Sequence, residues 1–379
     1  MTKAAELAKM GEVLTNSQIG GRRNIIINGA MQVAQRATSA TVGATNNDYA
    51  TVDRFKIVSV GTAGRATMSQ STDSPSGFAS SLKLDCSTAD TSIAASEQFA
   101  LATCIEGQDL QQIKKGKSDA EKITLSFYVK GNANATYNVE VADFDNTRHN
   151  TQTFSVTTSW NRIVMTFDAD TSGALDNDNA TSLQINWYLH AGSDYTSGTF
   201  TENTWQSRVS ANRVKSSNTS FFDSTDRTFF ITGIQLEVGS QATPFEHRSF
   251  AEELALCQRY CVQIINTESD SGHIILAGMS RGSTNKNFTL PLPVTMRNTT
   301  PSITLTGDVR LLNPEAHDYV NATDTLTCGG ITPTLVYSGN MLVLLYTGSV
   351  TGVTDTGNAD YNFQIVAASD HLFIIDSEL

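Results

Sequence analysis

Charge is scarce in this sequence. Asp, Glu, Lys and Arg make up 17% of its 379 residues and hydrophobic residues only 39%; Thr, Ser, Asn and Gly fill the balance. So little charge excludes a solvated disordered tail. The neutral polar bulk suits strands with one wet face and many turns, not a helical enzyme. What charge there is runs acidic, to a net -12. A chain without a basic surplus does not neutralise phosphates, so no nucleic-acid partner is expected, and the acidity reads as a solubility feature. Long apolar runs are missing as well. No stretch approaches the ~18 apolar residues of a membrane span, so no membrane insertion is expected. The opening residues are polar and alanine-rich without an apolar h-region, so no signal peptide is expected. Cysteine is sparse and odd in number, with Cys86, Cys104, Cys257, Cys261 and Cys328 at spacings that form no disulfide framework. Reduced, unlinked thiols are expected.

Catalytic motifs are also lacking. The six histidines, His149, His190, His247, His273, His317 and His371, form no H-x-x-x-H or H-E-x-x-H pattern. There is no G-x-S-x-G elbow and no phosphate loop. No enzyme activity, no catalytic residue and no cofactor are expected.

What is present is periodicity. A length of 379 residues suggests about two to three domains. Over residues 2–19, Leu7, Met10 and Leu14 recur at helical spacing, with Ala4 and Gly11 near the same stripe. This predicts a short N-terminal helix, too short to hold alone, so Leu7, Met10 and Leu14 are candidates for a trimer seam or a docking surface. From Asn24 the period becomes two. Residues 24–28 (NIIIN) read as a short buried strand. Ile123, Leu125, Phe127 and Val129 share one face of a strand; Tyr137, Val139 and Val141, then Ile163, Met165 and Phe167, then Leu183, Ile185, Trp187 and Leu189, then Ile234, Leu236 and Val238 repeat the pattern. One buried and one wet face belong to antiparallel sheets. Many short strands between turn-rich linkers predict a β-sandwich or jelly roll over residues 24–245, with a helical turn near Gln108 to Lys115.

Beyond Pro244, residues 246–266 predict a connecting amphipathic helix whose core face is Phe250, Leu254, Cys257 and Cys261. After Asn266 the strand period returns, and residues 267–379 predict a second, smaller β-sandwich. The expected fold is therefore mostly β: a short N-terminal helix and linker over 1–23, a large jelly roll, a connecting helix and a C-terminal β domain.

Three constellations invite a functional reading. Cys257 and Cys261, one helical turn apart, could face one metal, but a zinc site needs about four ligands, so they read as small apolar residues of a buried face and no metal is expected. Residues 168–179 (DADTSGALDNDN) place acidic groups at alternate positions before Gly173, yet Asn179 stands where a bidentate Glu belongs, so this reads as a solvated turn. Among the aromatics near Trp187, alternation turns Trp187 inward, which leaves Tyr188, Tyr195 and Trp205 as candidate glycan contacts.

Two stretches carry a resemblance. Residues 23–36 (RNIIINGAMQVAQR) followed by 49–55 (YATVDRF) resemble the opening of phage tail-fibre and related virion proteins. Residues 231–239 (ITGIQLEVG), 242–248 (ATPFEHR) and 256–260 (LCQRY) resemble the same proteins further along, as do 293–297 with Thr300-Pro301, and the ending 375–379. Glu106-Gly107 and residues 125–131 (LSFYVKG) are similar to the central strands of carbohydrate-binding-module-like jelly rolls. The resemblance implies a bacteriophage virion structural protein, made in the host cytoplasm: a homotrimeric tail fibre or appendage that joins other virion proteins through its N-terminus and meets a host surface glycan. The alternative is a capsid decoration or cement protein. A glycan-cleaving tailspike would need paired carboxylates about 5–9.5 Å apart and a β-helix repeat, neither of which the sequence displays. The C-terminal loops 308–325 and 348–360 are the longest polar loops there and the expected place of host contact.

Overall fold

The computed structural model describes residues 3–4, 22–266, 273–281, 285–298, 301–306, 310–312, 331–335, 341–347, 360–366 and 371–379. Leu7, Met10, Leu14, Cys328 and most of the loops 308–325 and 348–360 lie outside them. The chain divides into two compact units, residues 1–253 with Leu379, and residues 254–378.

The first unit is a jelly-roll sandwich. Its strands are β1 (Ser39–Val42), β2 (Lys56–Val60), β3 (Arg65–Ser71), β4 (Ser81–Thr88), β5 (Gln98–Glu106), β6 (Ile123–Gly131), β7 (Ala135–Asp143), β8 (Arg148–Val156), β9 (Asn161–Phe167), β10 (Thr181–Ala191), β11 (Gln206–Ser207) and β12 (Thr228–Val238). They form two six-stranded antiparallel sheets, β1-β3-β4-β12-β6-β9 and β11-β8-β7-β10-β5-β2. The 3-10 turns Gly107–Asp109 and Gln111–Ile113 fill the predicted helical turn.

The period-two residues meet between the sheets. Leu125, Phe127 and Val129 of β6, with Phe229, Ile231 and Leu236 of β12, bury against Tyr137, Val139 and Val141 of β7 and Leu183, Ile185 and Trp187 of β10. Edge-to-face rings cross the gap: Phe127 stands 5.8 Å from Trp187 at 89° and 5.3 Å from Phe154 at 88°, and Tyr137 stands 5.8 Å from Phe229 at 89°. These pairs add to the burial energy because the electropositive ring edge meets the electronegative ring face.

Residues 24–28 are not the strand their apolar run predicts. Asn28 and Met31 take left-handed backbone, φ 59° and 57°, which turns the chain out of an extended path. Asn28 acts instead as a buried clip: its Nδ2 donates to Val33 O at 2.8 Å and Asp53 O at 2.9 Å, and its Oδ1 accepts from Val33 N at 3.0 Å. Asn24 does the same across β12, donating to Ile234 O at 3.0 Å and accepting from Leu236 N at 3.1 Å. Here β12 carries a register shift against β6 between Thr232 and Gln235, a bulge that frees backbone groups for such side chains. Gly29 is required because a Cβ there would lie 2.0 Å from Ile234 O. Glu246 accepts from Asn24 N at 2.9 Å, and Glu253 from Asn28 N at 2.6 Å. Two stretches that carry the resemblance, some two hundred residues apart, are thus one piece of scaffold.

The connecting helix is shorter than predicted. It spans Phe250–Gln258, and Cys261–Asn266 is already strand β13. The β-branched run Val262, Ile264, Ile265 favours the pleated form, and Tyr260 N bonds back to Cys257 O at 2.9 Å to close the turn. Of the predicted helix face, Cys257 is buried, Leu254 half-buried and Phe250 56% exposed, while Cys261 is buried on the strand. Cys86, Cys104, Cys257 and Cys261 are all buried.

The second unit adds β14 (His273–Arg281), β15 (Asn285–Pro291), β16 (Ser302–Thr306), β17 (Arg310–Leu312), β18 (Ile331–Leu335), β19 (Met341–Thr347), β20 (Asp360–Val366) and β21 (His371–Asp376). They form antiparallel sheets β13-β21-β16 and β17-β20-β14-β15-β19-β18. Arg297 Nε clasps Ser377 O at 2.6 Å.

Candidate functional site

The outer faces of the two sheets of the jelly roll differ. The outer face of the second sheet is polar in sequence, with Asn138 and Glu140 on β7 and Gln184, Asn186 and Tyr188 on β10, yet all five are buried. Residues 192–220 lie over them. This covering segment holds the one-turn helix Ser193–Thr196, β11, and a 3-10 turn at Ser210–Asn212. It is pinned by Arg213, whose Nε and Nη2 donate to Glu140 at 2.9 and 2.8 Å. Asn186 Nδ2 at 3.0 Å and Tyr188 OH at 3.3 Å also donate to Glu140, His149 Nδ1 stands 3.0 Å away, and Arg208 Nε is 3.6 Å away. The paired guanidinium of Arg213 holds the Glu140 carboxyl well below the usual carboxylate range, against the opposing effect of burial.

This arrangement places the sequence-based glycan candidates under or beside the covering segment. Tyr188 does face away from the core, but it is only 2% exposed, packed with Ala100, Val214 and Tyr195 under the Arg213 guanidinium. Tyr195 is half-buried in the same cluster. Trp205 is half-buried against the sandwich core, its Nε1 donating to Asp168 O at 2.7 Å and its ring 5.1 Å from Lys115 Nζ. The alternation rule gives the side of a sheet, not what lies over that side. The acidic turn at 168–179 is likewise occupied: Lys122 pairs with Asp168 at 2.7 Å, and Asp170 takes Lys115 at 3.0 Å and Arg148 at 2.8 Å.

The outer face of the first sheet, where Ser126, Phe230 and Thr232 are buried, carries a row of rings. The register sets Lys83, Phe230 and Lys130 side by side across β4, β12 and β6, and Thr232, Tyr128 and Arg162 in the next row across β12, β6 and β9. Turns complete the row. Trp160, before β9, stands 6.2 Å from Phe230. Phe78, at the end of the Pro75 turn, stands 5.4 Å from Tyr128, 5.0 Å from Phe245 and 5.2 Å from His247. Trp160, Tyr128, Phe78 and Phe245 are half-buried, Phe230 between them is 8% exposed, His247 is exposed, and Val164 is exposed on β9.

Polar groups rim these rings. Asp73 accepts from Trp160 Nε1 at 3.1 Å and pairs with Lys130, which holds its carboxyl below the ordinary range and keeps it anionic. Lys130 Nζ lies 4.8 Å from the Phe230 ring centre and 5.4 Å from that of Trp160; Lys83 Nζ lies 5.7 Å from Phe230. Such cation–π contacts fix the ring angles. Flat rings with anionic and cationic hydrogen-bonding groups at their edges can stack on the C–H face of a sugar and hold its hydroxyls. The row escapes sequence inspection because its members come from Phe78, Tyr128, Trp160, Phe230 and Phe245, far apart in the chain. The signal available was the pairing of aromatics with turn residues at Ser159-Trp160 and Pro75 to Phe78.

No protein-family model matches the chain, and no curated protein does. Solved structures align with about half of the chain. A family 11 carbohydrate-binding module from Clostridium thermocellum, in complex with a β-1,3-1,4-mixed-linked tetrasaccharide, aligns at 12% identity over 54% of this chain and 98% of its own, with a TM-score of 0.28. A family 61 module in complex with β-1,4-galactotriose aligns at 9% identity over 57% of this chain and 99% of its own, with a TM-score of 0.29. The enzymatically active domain of tailspike protein 4 of bacteriophage CBA120 aligns at 12% identity over 57% of this chain and 21% of its own, with a TM-score of 0.28. Likenesses this slight carry no argument about what this chain does.

Proposed function

We propose that this chain is a non-enzymatic, glycan-binding structural component of a bacteriophage virion, a tail fibre or appendage that holds the particle to its host. The observation that carries the reading is the ring row Trp160, Phe230, Tyr128, Phe78 and Phe245 on the outer face of the first sheet, with Asp73, Lys83 and Lys130 beside it. Contiguous apolar patches with polar rims on a solvent-facing surface mark interaction sites. The phage setting rests on the resemblance of residues 23–36, 49–55 and 231–248, whose residues build scaffold and so account for a shared fold. The chain acts as a homotrimer. Residues 1–23, with Leu7, Met10 and Leu14, seam the three copies or dock them to other virion proteins. Weak single sites then hold together because three engage at once. No cofactor and no bond cleavage enters this function.

The test is competition. Purified chain added to host cells before whole particles should slow adsorption in proportion to the surface it occupies, and should release no oligosaccharide from host polysaccharide. Unchanged adsorption at saturating chain, together with labelling of the head shell in particle images, would replace this reading with capsid decoration.

A further inference from the structure

At one end of the second sheet, three side chains from separate segments converge. Asp90 lies in the loop after β4, Glu97 immediately before β5, and His190 near the end of β10. They are 5%, 5% and 0% exposed. One donor atom of each lies within 4.8 Å of the other two, and His190 Nε2 is 3.3 Å from Glu97 Oε2. Around a tetrahedral ion with bonds of about 2.0–2.1 Å, neighbouring donor atoms stand about 3.3–3.4 Å apart. The imidazole and the Glu97 carboxylate already have that spacing.

The surroundings hold the three groups as ligands are held. His190 Nδ1 meets Ser220 Oγ at 2.8 Å, and that oxygen also accepts from Phe222 N at 3.1 Å. With Nδ1 engaged at Ser220, Nε2 is the nitrogen turned to the carboxylates, and a partner on the far ring nitrogen is the usual mark of a metal-binding imidazole. Asp90 Oδ2 accepts from Ala63 N at 3.0 Å and Thr62 Oγ1 at 3.3 Å, and among the described residues its Oδ1 accepts only Ser92 N, at 3.1 Å. A carboxylate oxygen has two lone pairs, so Oδ1 retains one for a further partner.

Charge makes the same demand. Among the described residues, His190 is the one basic side chain within ion-pair distance of either carboxylate. Carboxylates gathered under cover are costly unless a cation joins them. An imidazole among oxygens selects zinc and similar metals over calcium or magnesium.

We propose that Asp90, Glu97 and His190 form a structural divalent-cation site of the zinc class, which ties the β4–β5 loop to the end of β10 and, through Ser220, to the covering segment. The site is independent of the ring row and of the glycan reading.

The experiment uses the full chain, stripped with a chelator and titrated with Zn2+ alone. One equivalent should bind, with a rise in Tm that saturates at that equivalent and that Ca2+ does not reproduce. Co2+ in place of Zn2+ should give the visible bands of a tetrahedral nitrogen and oxygen shell without a thiolate charge-transfer band, which separates this site from the cysteines. Ser220→Ala, which keeps the ligands, should weaken affinity about 10- to 100-fold, and His190→Gln should abolish uptake. If His190→Gln does not fold, the wild-type Co2+ spectrum and Ser220→Ala decide. Absence of stoichiometric uptake, a thiolate band, or equal affinity of Ser220→Ala and wild type would each overturn the proposal.

Discussion

Removing Glu140 should destabilise the first unit more than almost any other single change. Its carboxylate has no exposed surface and serves Arg213 at 2.9 and 2.8 Å, with Asn186 and Tyr188 donating beside it. In Glu140→Ala the Arg213 guanidinium, itself 9% exposed, stays charged under the covering segment without its partner. A buried charge stranded in this way costs about 3–5 kcal/mol, a large part of the roughly 5–15 kcal/mol that holds a domain together. Replacing both members, as Glu140→Leu with Arg213→Met, strands no charge and should cost less than Glu140→Ala alone. The assay is denaturant unfolding followed by tryptophan fluorescence. All three tryptophans, Trp160, Trp187 and Trp205, lie in the first unit, so the signal reports that unit alone. Acid supplies a second readout. The folded pKa of Glu140 lies below its unfolded value, so its contribution is fully present above the usual glutamate range, about pH 4.3, and is lost as pH falls from there toward the folded value. Acidification from about pH 5 to about pH 3 should therefore lower the midpoint of wild type more than that of Glu140→Ala. A loss below about 1 kcal/mol in Glu140→Ala, the size of an exposed pair, or a double variant whose cost is the sum of the singles, would refute the reasoning.

Further outcomes follow from other sites. Gly233→Ala places a Cβ 2.7 Å from Phe78 Cζ and 2.9 Å from Tyr128 Cδ2, at a φ of +62°; it should cost about 1–2 kcal/mol in backbone conformation alone and weaken glycan retention by displacing the rings, both read on one sample by unfolding and binding. Trp187→Ala empties the centre of the sandwich and should cost about 3–5 kcal/mol, measured in the same denaturant assay with Trp160 and Trp205 as reporters. Alkylation of the unfolded chain without reductant should modify five thiols, and a mass deficit of about two daltons, one lost hydrogen per linked sulfur, would reveal a disulfide. Sedimentation of the intact chain should give a trimer, and a monomer at micromolar concentration would remove that part of the proposal.

Much of the sandwich was legible because alternation is local. Leu125, Phe127 and Val129 and their counterparts on β7 and β10 announce one buried face by period alone, and the strand period that returns after Asn266 matches strands of the second unit. What was not legible depends on partners distant in sequence. Residues 24–28 are apolar enough for a strand, but the clip at Asn28 and the bulge of β12 decide their path. Cys261 continues a helical stripe in sequence, whereas pairing of β13 with β21 pulls it into a sheet. Tyr188 obeys alternation and is still unavailable, because residues 192–220 fold back over it. The ring row is the converse case, since no window of the sequence holds more than two of its members.

The most direct measurement of the central claim is retention of the purified chain on immobilised host-surface polysaccharide, with variants at both faces of the sandwich. Trp160→Ala and Phe78→Ala should each weaken retention about tenfold or more, equal to about 1.4 kcal/mol, while unfolding midpoints stay near wild type. Tyr195→Ala, on the covered face, should leave retention unchanged. Retention that survives both ring deletions but falls with Tyr195→Ala, or no retention of the wild-type chain on any surface polysaccharide of its host, would contradict the account.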